Sequence, residues 1–211
     1  MKIRVCSLRL LSGIVLGSAM FALGCVESKS SALVEQSAEA AQWVRLDSNE
    51  LDVAQQGKLV RAMDAREALE TTLKVRLMGA IKEGGPANGV AVCSQDASEL
   101  ADEVGEEHKL RIGRTSFQLR NQSNQPPVWM GEVVAERTNE PVYMGNTETS
   151  GLFFAAFPIQ IAPPCMLCHG DQDSIGEGIL ETIAEHYPDD QATGFGLGDL
   201  RGWFWVEIDE D

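Results

Sequence analysis

Arg111-Ile-Gly-Arg-Thr-Ser-Phe-Gln-Leu119 is where the 211-residue chain changes texture. β-Branched and aromatic residues mix here with polar ones and turn formers, a composition that predicts strand. The texture returns at Val142-Tyr-Met144, at Leu152-Phe-Phe-Ala-Ala-Phe157 and at Gly202-Trp-Phe-Trp-Val-Glu-Ile208. Upstream the pattern is helical. From Ser48 to Lys82, Leu51, Val53, Leu59, Met63, Leu69, Leu73, Val75 and Leu77 recur at spacings near three and four with no proline, predicting one long helix or two abutting ones. Gly84-Gly85-Pro86 ends that stretch. A second helix is expected from Ala87 through Val104, carrying Val90, Val92 and Cys93 inward, and a third near Gly178 to His186. Helices followed by strands, without regular βαβ alternation, place the chain in the α+β class on an antiparallel sheet. No internal repeat is visible, and residues 48–211 are expected to form one domain.

The composition, 44% hydrophobic and 23% charged, suits one modest domain with a real core. With 32 Asp and Glu against 17 Lys and Arg, the formal charge is −15. Such a surface repels a phosphate backbone, so no nucleic-acid partner is expected.

Residues 1–24 are read as an address. Lys2, Arg4 and Arg9 precede an apolar run from Leu10 to Gly17, and Ala22-Leu23-Gly24 places small residues just before Cys25. That is the layout of a secretory signal peptide, too short for a membrane span. Cleavage directly before a cysteine is similar to the lipobox of bacterial lipoproteins, which implies lipidation at Cys25. Ordinary cleavage with an incidental thiol is the alternative. Removing residues 1–24 takes away three bases and no acid, so the charge becomes −18. The Ser-, Ala-, Glu- and Gln-rich residues after Cys25, in the span 25–47, are expected to be a flexible tether to the lipid membrane. The expected location is the periplasmic face of a bacterial membrane, the outer membrane ahead of the inner.

The chemistry centres on Cys165-Met166-Leu167-Cys168-His169, a C-x-x-C-H sequence that signals c-type haem attachment. Two thiols one helical turn apart can each bond a porphyrin vinyl group, and the adjacent histidine reaches the iron. Export fits this reading. A zinc site or disulfide C-x-x-C is the competitor, but zinc wants further ligands and the rest of the chain offers Cys93, His108 and His186.

The five cysteines then divide among tasks: Cys6 leaves with the signal, Cys25 takes lipid, and Cys165 and Cys168 hold haem. Cys93 is left over, either a small buried hydrophobe or a thiol with a role. As sixth ligands, spacing leaves His108, His186, Met130 and Met144 open beside it.

Three stretches together resemble the PAS-like c-type haem sensor domains of bacterial proteins and sensor kinases. One runs from Ala91-Val92-Cys93 through Arg111-Ile112-Gly113-Arg114-Thr115-Ser116 to Arg120-Asn121-Gln122-Ser123-Asn124-Gln125-Pro126. The second is Pro163-Pro164-Cys165-Met166-Leu167-Cys168-His169-Gly170, and the third is Tyr187-Pro188-Asp189-Asp190-Gln191-Ala192-Thr193-Gly194 with Gly198-Asp199-Leu200-Arg201-Gly202. Gln122, and Met130 after Trp129, depart from the family pattern in what reads as a loop. The resemblance implies a PAS-like antiparallel sheet preceded by a long N-terminal helix, one covalently bound haem c per chain, and iron ligation by His169 and Cys93. A thiolate ligand and the acidic charge imply a low reduction potential.

Arg111, Arg114, Arg120 and Arg201 stand out in so acidic a chain. One or two are expected to neutralise haem propionates, Arg114 being assigned to the cofactor, and exposed strand arginines are the alternative. Trp203, Phe204 and Trp205 read as packing residues, His186 as a helix-end residue and His108 as a solvated loop residue.

These readings predict a membrane-tethered redox or diatomic-gas sensor that is not an enzyme. An electron-carrying cytochrome is the second reading; a peroxidase lacks a clear distal acid-base group. With no output domain read after residue 211, a signal would pass to a separate redox or signalling protein. A homodimer through the long N-terminal helix is left open.

Overall fold

The computed structural model describes residues 43–146 and 151–209. The signal peptide, Cys6, Cys25 and the tether up to Gln42 lie outside the described residues.

A strand, β1 (Trp43–Leu46), comes first, followed by α1 (Val53–His108), β2 (Arg111–Thr115), α2 (Gly131–Glu136), β3 (Val142–Asn146) and β4 (Phe153–Gln160). A short helix α3 (Met166–His169), then α4 (Glu177–His186) and β5 (Leu200–Ile208) complete the described chain. All strand pairs are antiparallel, in the order β1-β3-β4-β5-β2. The α+β class with an antiparallel sheet is as expected.

The first strand corrects two expectations. Trp43 pairs with Asn146 and Leu46 with Tyr143, so the folded body begins before residue 48 and the 25–47 tether is too long. A strand also precedes the helices. Trp43 is held there by packing edge-on against Phe154 at 4.9 Å between ring centres.

Helix α1 opens with a capping box: Asp52 accepts from the Gln55 amide at 2.8 Å, and Gln55 Oε1 accepts from the Asp52 amide at 2.9 Å. It is two arms, as the Gly-Gly-Pro break predicts. Gly84 and Gly85 leave helical geometry, Gly85 at φ 79°, a region open to glycine at little cost, and Pro86 starts the second arm. The arms fold back on each other. Asn88 Nδ2 donates to the Ala80 carbonyl at 2.9 Å, Arg76 pairs with Asp96, and a Cβ on Gly89 would lie 2.9 Å from Ile81. Lys109, in left-handed geometry, ends the second arm, and His108 is its last residue instead of a loop residue.

Both faces of the sheet are covered, which is why β4 and β5 read as nearly continuous apolar runs. Phe153, Ala155, Phe157, Phe204, Val206 and Ile208 pack against Leu51, Ala62, Ala65 and Leu69 of the α1 side. The alternate residues Phe154, Ala156 and Trp203 face Trp129, Met130 and Val133, with Val142 and Met144. Met130 is therefore core and not a loop residue, and with Met144 it is committed to packing. The strand expected to reach Leu119 stops at Thr115, because the Ser116 hydroxyl accepts from the Gln118 amide at 3.0 Å and turns the chain.

Candidate functional site

Pro163 and Pro164 open a 3-10 turn that ends at Cys165 and runs directly into α3. Proline suits the first turn because its missing amide has no partner there and its φ is preset. The turn places Cys165, Cys168 and His169 on one short segment, all half-buried. Gly170 follows because a Cβ there would lie 2.9 Å from the Met166 carbonyl oxygen.

The segment after α4 returns as a strap across this turn. The Gly194 amide donates to Gly170 O at 2.8 Å and the Phe195 amide to His169 O at 2.9 Å. His169 Nδ1 donates to the Ala192 carbonyl oxygen at 2.7 Å. A carbonyl only accepts, so the proton sits on Nδ1 and the Nε2 lone pair is free to bind a metal. Burial, together with the positive charges of Arg120 and Arg201, pushes the His169 pKa down to about 3, and the Ala192 bond offsets only part of this. The ring is neutral at any ordinary pH.

Arg120 locks the strap. Its Nε and Nη2 meet Asp190 Oδ1 and Oδ2 at 3.0 and 3.2 Å, and Nη2 also donates to the carbonyls of Cys168 at 2.6 Å and Ala192 at 3.2 Å. Asp190 Oδ1 in turn accepts from the Ala192 amide at 3.0 Å. Both side chains are nearly buried, at 12% and 9% exposure. Arg120 is thus committed to the protein and not to a ligand. Arg201 donates to the Gln118 carbonyl at 3.0 Å and lies over the Phe195 ring at 5.5 Å; burial lowers its pKa to about 10. Arg111 lies at the rim, paired at 2.6 Å with Glu207, whose other oxygen accepts from Trp129 Nε1 at 2.7 Å.

Cys93 comes to the same site from the second arm of α1, more than seventy residues away in sequence. Its electrostatic neighbours are Arg114, Asp96 and Arg76, and its charge acts on Cys168 and Tyr187. Burial raises the Cys93 thiol above its ordinary pKa, opposed by the Arg114 guanidinium. Burial likewise raises Cys168 and lowers Arg114. Arg114, the fourth residue of β2, acts electrostatically on Cys93 and lines a cavity of about 170 Å³ between the second arm, β2 and Ser123-Asn124-Gln125.

The structure therefore brings together Cys93, Cys165, Cys168, His169 and Arg114, and not His108, Met130 or Met144. His186 is held at 3.3 Å from the Ser94 hydroxyl. Among the described residues no group of three or more His, Cys, Asp or Glu side chains is placed to hold a bare metal ion. The set instead suits a prosthetic group that needs two thiols for attachment and two axial donors: three free thiols, one imidazole with an open Nε2, and half-buried cations for acidic substituents. Tyr187, Asp190 and the Ala192 carbonyl had no role assigned from sequence. Asp190 could have been found by asking which acid compensates a buried Arg120; a carbonyl partner leaves no trace in residue type.

No curated protein matches the chain. The crystal structure of the cyanobacterial heme-protein Tll0287 is similar to it with a TM-score of 0.52, covering 76% of this chain and 98% of that one at 20% identity, a likeness of fold. The model of the Tll0287-like family matches residues 26–209, and the chain belongs to that family.

Proposed function

We propose that this protein binds one haem c, attached through Cys165 and Cys168, with His169 Nε2 and Cys93 Sγ as axial ligands of the iron. Tll0287, which shares the fold, is a heme-protein, and this supports haem as the ligand. The observation that carries the assignment is the His169–Ala192 hydrogen bond, which fixes the one tautomer able to bind iron through Nε2. Arg120 and the strap hold that ring, Arg114 offers a cation to the Cys93 thiolate or to a propionate, and the apolar residues Phe195, Ile161 and Ala192 exclude water from the histidine side. The haem supplies one-electron chemistry and a site for diatomic ligands.

The sheet is read as PAS-like, and the protein as a sensor of redox state or of a diatomic gas, held by a lipid on Cys25 at the periplasmic face of a bacterial membrane and signalling to a separate protein. Loss or replacement of the Cys93 ligand would give two states that a signal biases. An electron-carrying role is favoured by one observation: Leu167, inside the motif, is 45% exposed, an apolar approach to the cofactor.

The test is spectroscopic. Intact mass should give one covalent haem per chain, lost in Cys165→Ala with Cys168→Ala. Cys93→Ser should keep the haem and change the ferric low-spin spectrum; an unchanged spectrum excludes Cys93 as ligand. The midpoint potential should be low, and a clearly positive one contradicts thiolate ligation. Rapid CO or NO binding to the reduced protein supports sensing, and inertness supports electron transfer.

A further inference from the structure

Among the described residues nothing covers the outward face of the first arm of α1. Of the nine large apolar side chains exposed among the described residues, five lie there: Val53, Val60, Met63, Val75 and Met78. At about 100° per residue, Val53, Val60, Val75 and Met78 fall within one sector of roughly 60°. The opposite side of the arm already carries Ala62, Ala65 and Leu69 onto the sheet, so this is a helix with two apolar sides, of which one is covered.

The exposed side has a symmetric pattern. Counted from Leu69, Val60 and Met63 lie nine and six residues before it, and Met78 and Val75 nine and six after. Asp64 and Lys74, both exposed, lie five before and five after, with opposite charge at mirrored places. Such a surface is complementary to itself when one copy is turned end for end about an axis at Leu69. Gly57 and Gly79 lie on the same exposed face, and a Cβ on either would meet nothing within 4 Å. No packing among the described residues accounts for glycine there, where it weakens a helix; close approach of a facing helix does.

We propose that two copies of this chain associate through the first arms of α1 packed antiparallel. Val60 lies against the partner's Met78 and Asp64 comes level with the partner's Lys74, while Met63, about 80° round the helix from Val53, lies at the edge of the contact. A parallel pair would set Asp64 on Asp64 and Lys74 on Lys74, like charges facing each other. A lipid surface is a poorer occupant. Arg66 and Arg76 are already paired with Glu70 and Asp96, Lys74 shares Glu70 with Arg66 and remains 69% exposed, and the middle of the stripe presents Asp64 and Glu67. The association does not depend on what Cys93 and residues 165–169 bind.

The test mixes unlabelled and nitrogen-15-labelled full chains, treats them with a zero-length carbodiimide cross-linker, and measures mass by sedimentation. A dimer is expected, with an isotope-mixed Asp64–Lys74 cross-link. Val60→Glu or Met78→Glu should raise the dissociation constant at least about tenfold, with helical circular dichroism unchanged. Asp64→Lys alone should weaken the dimer similarly, and Asp64→Lys with Lys74→Asp should restore it. A monomer at 100 μM (on the order of a weak interface's dissociation constant), a dimer whose cross-links lie elsewhere, failure of the charge swap to restore association, or binding of the monomer to anionic vesicles through the same stripe overturns the proposal.

Discussion

His169 and Ala192 are joined by a 2.7 Å hydrogen bond from the imidazole Nδ1 to the main-chain carbonyl, across 23 residues of chain. The bond makes the ring's orientation a property of the strap. Anything that shifts the strap turns the imidazole, and the strap is held chiefly by Arg120, which contacts Asp190, Cys168 and Ala192 at once.

Breaking that grip should be costly. Asp190→Asn removes the charge opposite a nearly buried guanidinium and loosens the Ala192 amide, so a loss of about 3–5 kcal/mol is expected. Replacing both partners, Arg120→Met with Asp190→Leu, should cost less than either single change, because no charge is left unpaired. Urea midpoints of the wild type, Arg120→Met, Asp190→Leu and the double mutant check this; a double mutant less stable than either single contradicts it.

The buried histidine has a pH signature in the haem-free chain. Its folded pKa, about 3, is below the unfolded value near 6.5. Between these values the unfolded chain binds more protons, so stability from this group is complete above about pH 6.5 and falls as the pH drops toward 3, by at most about 1.4 kcal/mol per pH unit. Thermal melts at pH 7, 6 and 5 should show the decline, and His169→Gln should flatten it. An unchanged slope in that variant means that other groups carry it.

Gly113 is required by contact. On β2 it faces Trp205 of β5, and a Cβ would lie 2.4 Å from the indole ring. Gly113→Ala should therefore destabilise by about 1–3 kcal/mol. Trp205→Leu in the same chain should recover part of that by making room. Because Arg114 is the next residue, the single substitution should also perturb the absorption spectrum of the haem-loaded protein, while an Ala substitution that leaves melting unchanged excludes the clash.

The parts of this fold legible in sequence are those written in periodicity and punctuation. The two arms of α1 follow from apolar spacing and Gly84-Gly85-Pro86, and β2 to β5 from β-branched and aromatic runs. β1 was not legible: four residues beside a polar segment carry too little pattern, and Trp43 becomes strand only because β3 and Phe154 are there to receive it. At the site, Cys165, Cys168 and His169 are contiguous and announce themselves. Cys93 and Arg114 come together only through the fold; the leftover thiol and the resemblance point to Cys93, and Arg114 is singled out only as one of four arginines conspicuous in an acidic chain. Arg120 was visible as an unusual cation, but its task, pairing with Asp190 and steadying the strap, is purely tertiary.

With the proposed haem bound, the charge around the site should govern how fast that haem exchanges electrons with a reagent. Between Arg137 and Arg201 the chain has no Lys or Arg, and the second arm of α1, residues 86–108, has six acids and no Lys or Arg. The three arginines nearest the motif, Arg114, Arg120 and Arg201, are at least half-buried, whereas Asp171, Asp173, Glu177 and Asp199 are exposed. Leu167 and Leu197 stand exposed among them, Leu197 two residues past the Phe195 amide that bonds His169 O. A partner that docks here meets a small apolar centre inside a negative rim, and a basic surface fits it. In stopped-flow oxidation of the reduced haem-loaded protein, a cationic ruthenium hexaammine complex should outpace ferricyanide, after correction for driving force, by roughly 10-fold or more at low salt. The advantage should shrink toward unity as ionic strength rises. Asp171→Lys with Asp173→Lys should reduce it without altering the midpoint spectrum, and equal rates for both reagents at low salt would show that electrons leave through another face.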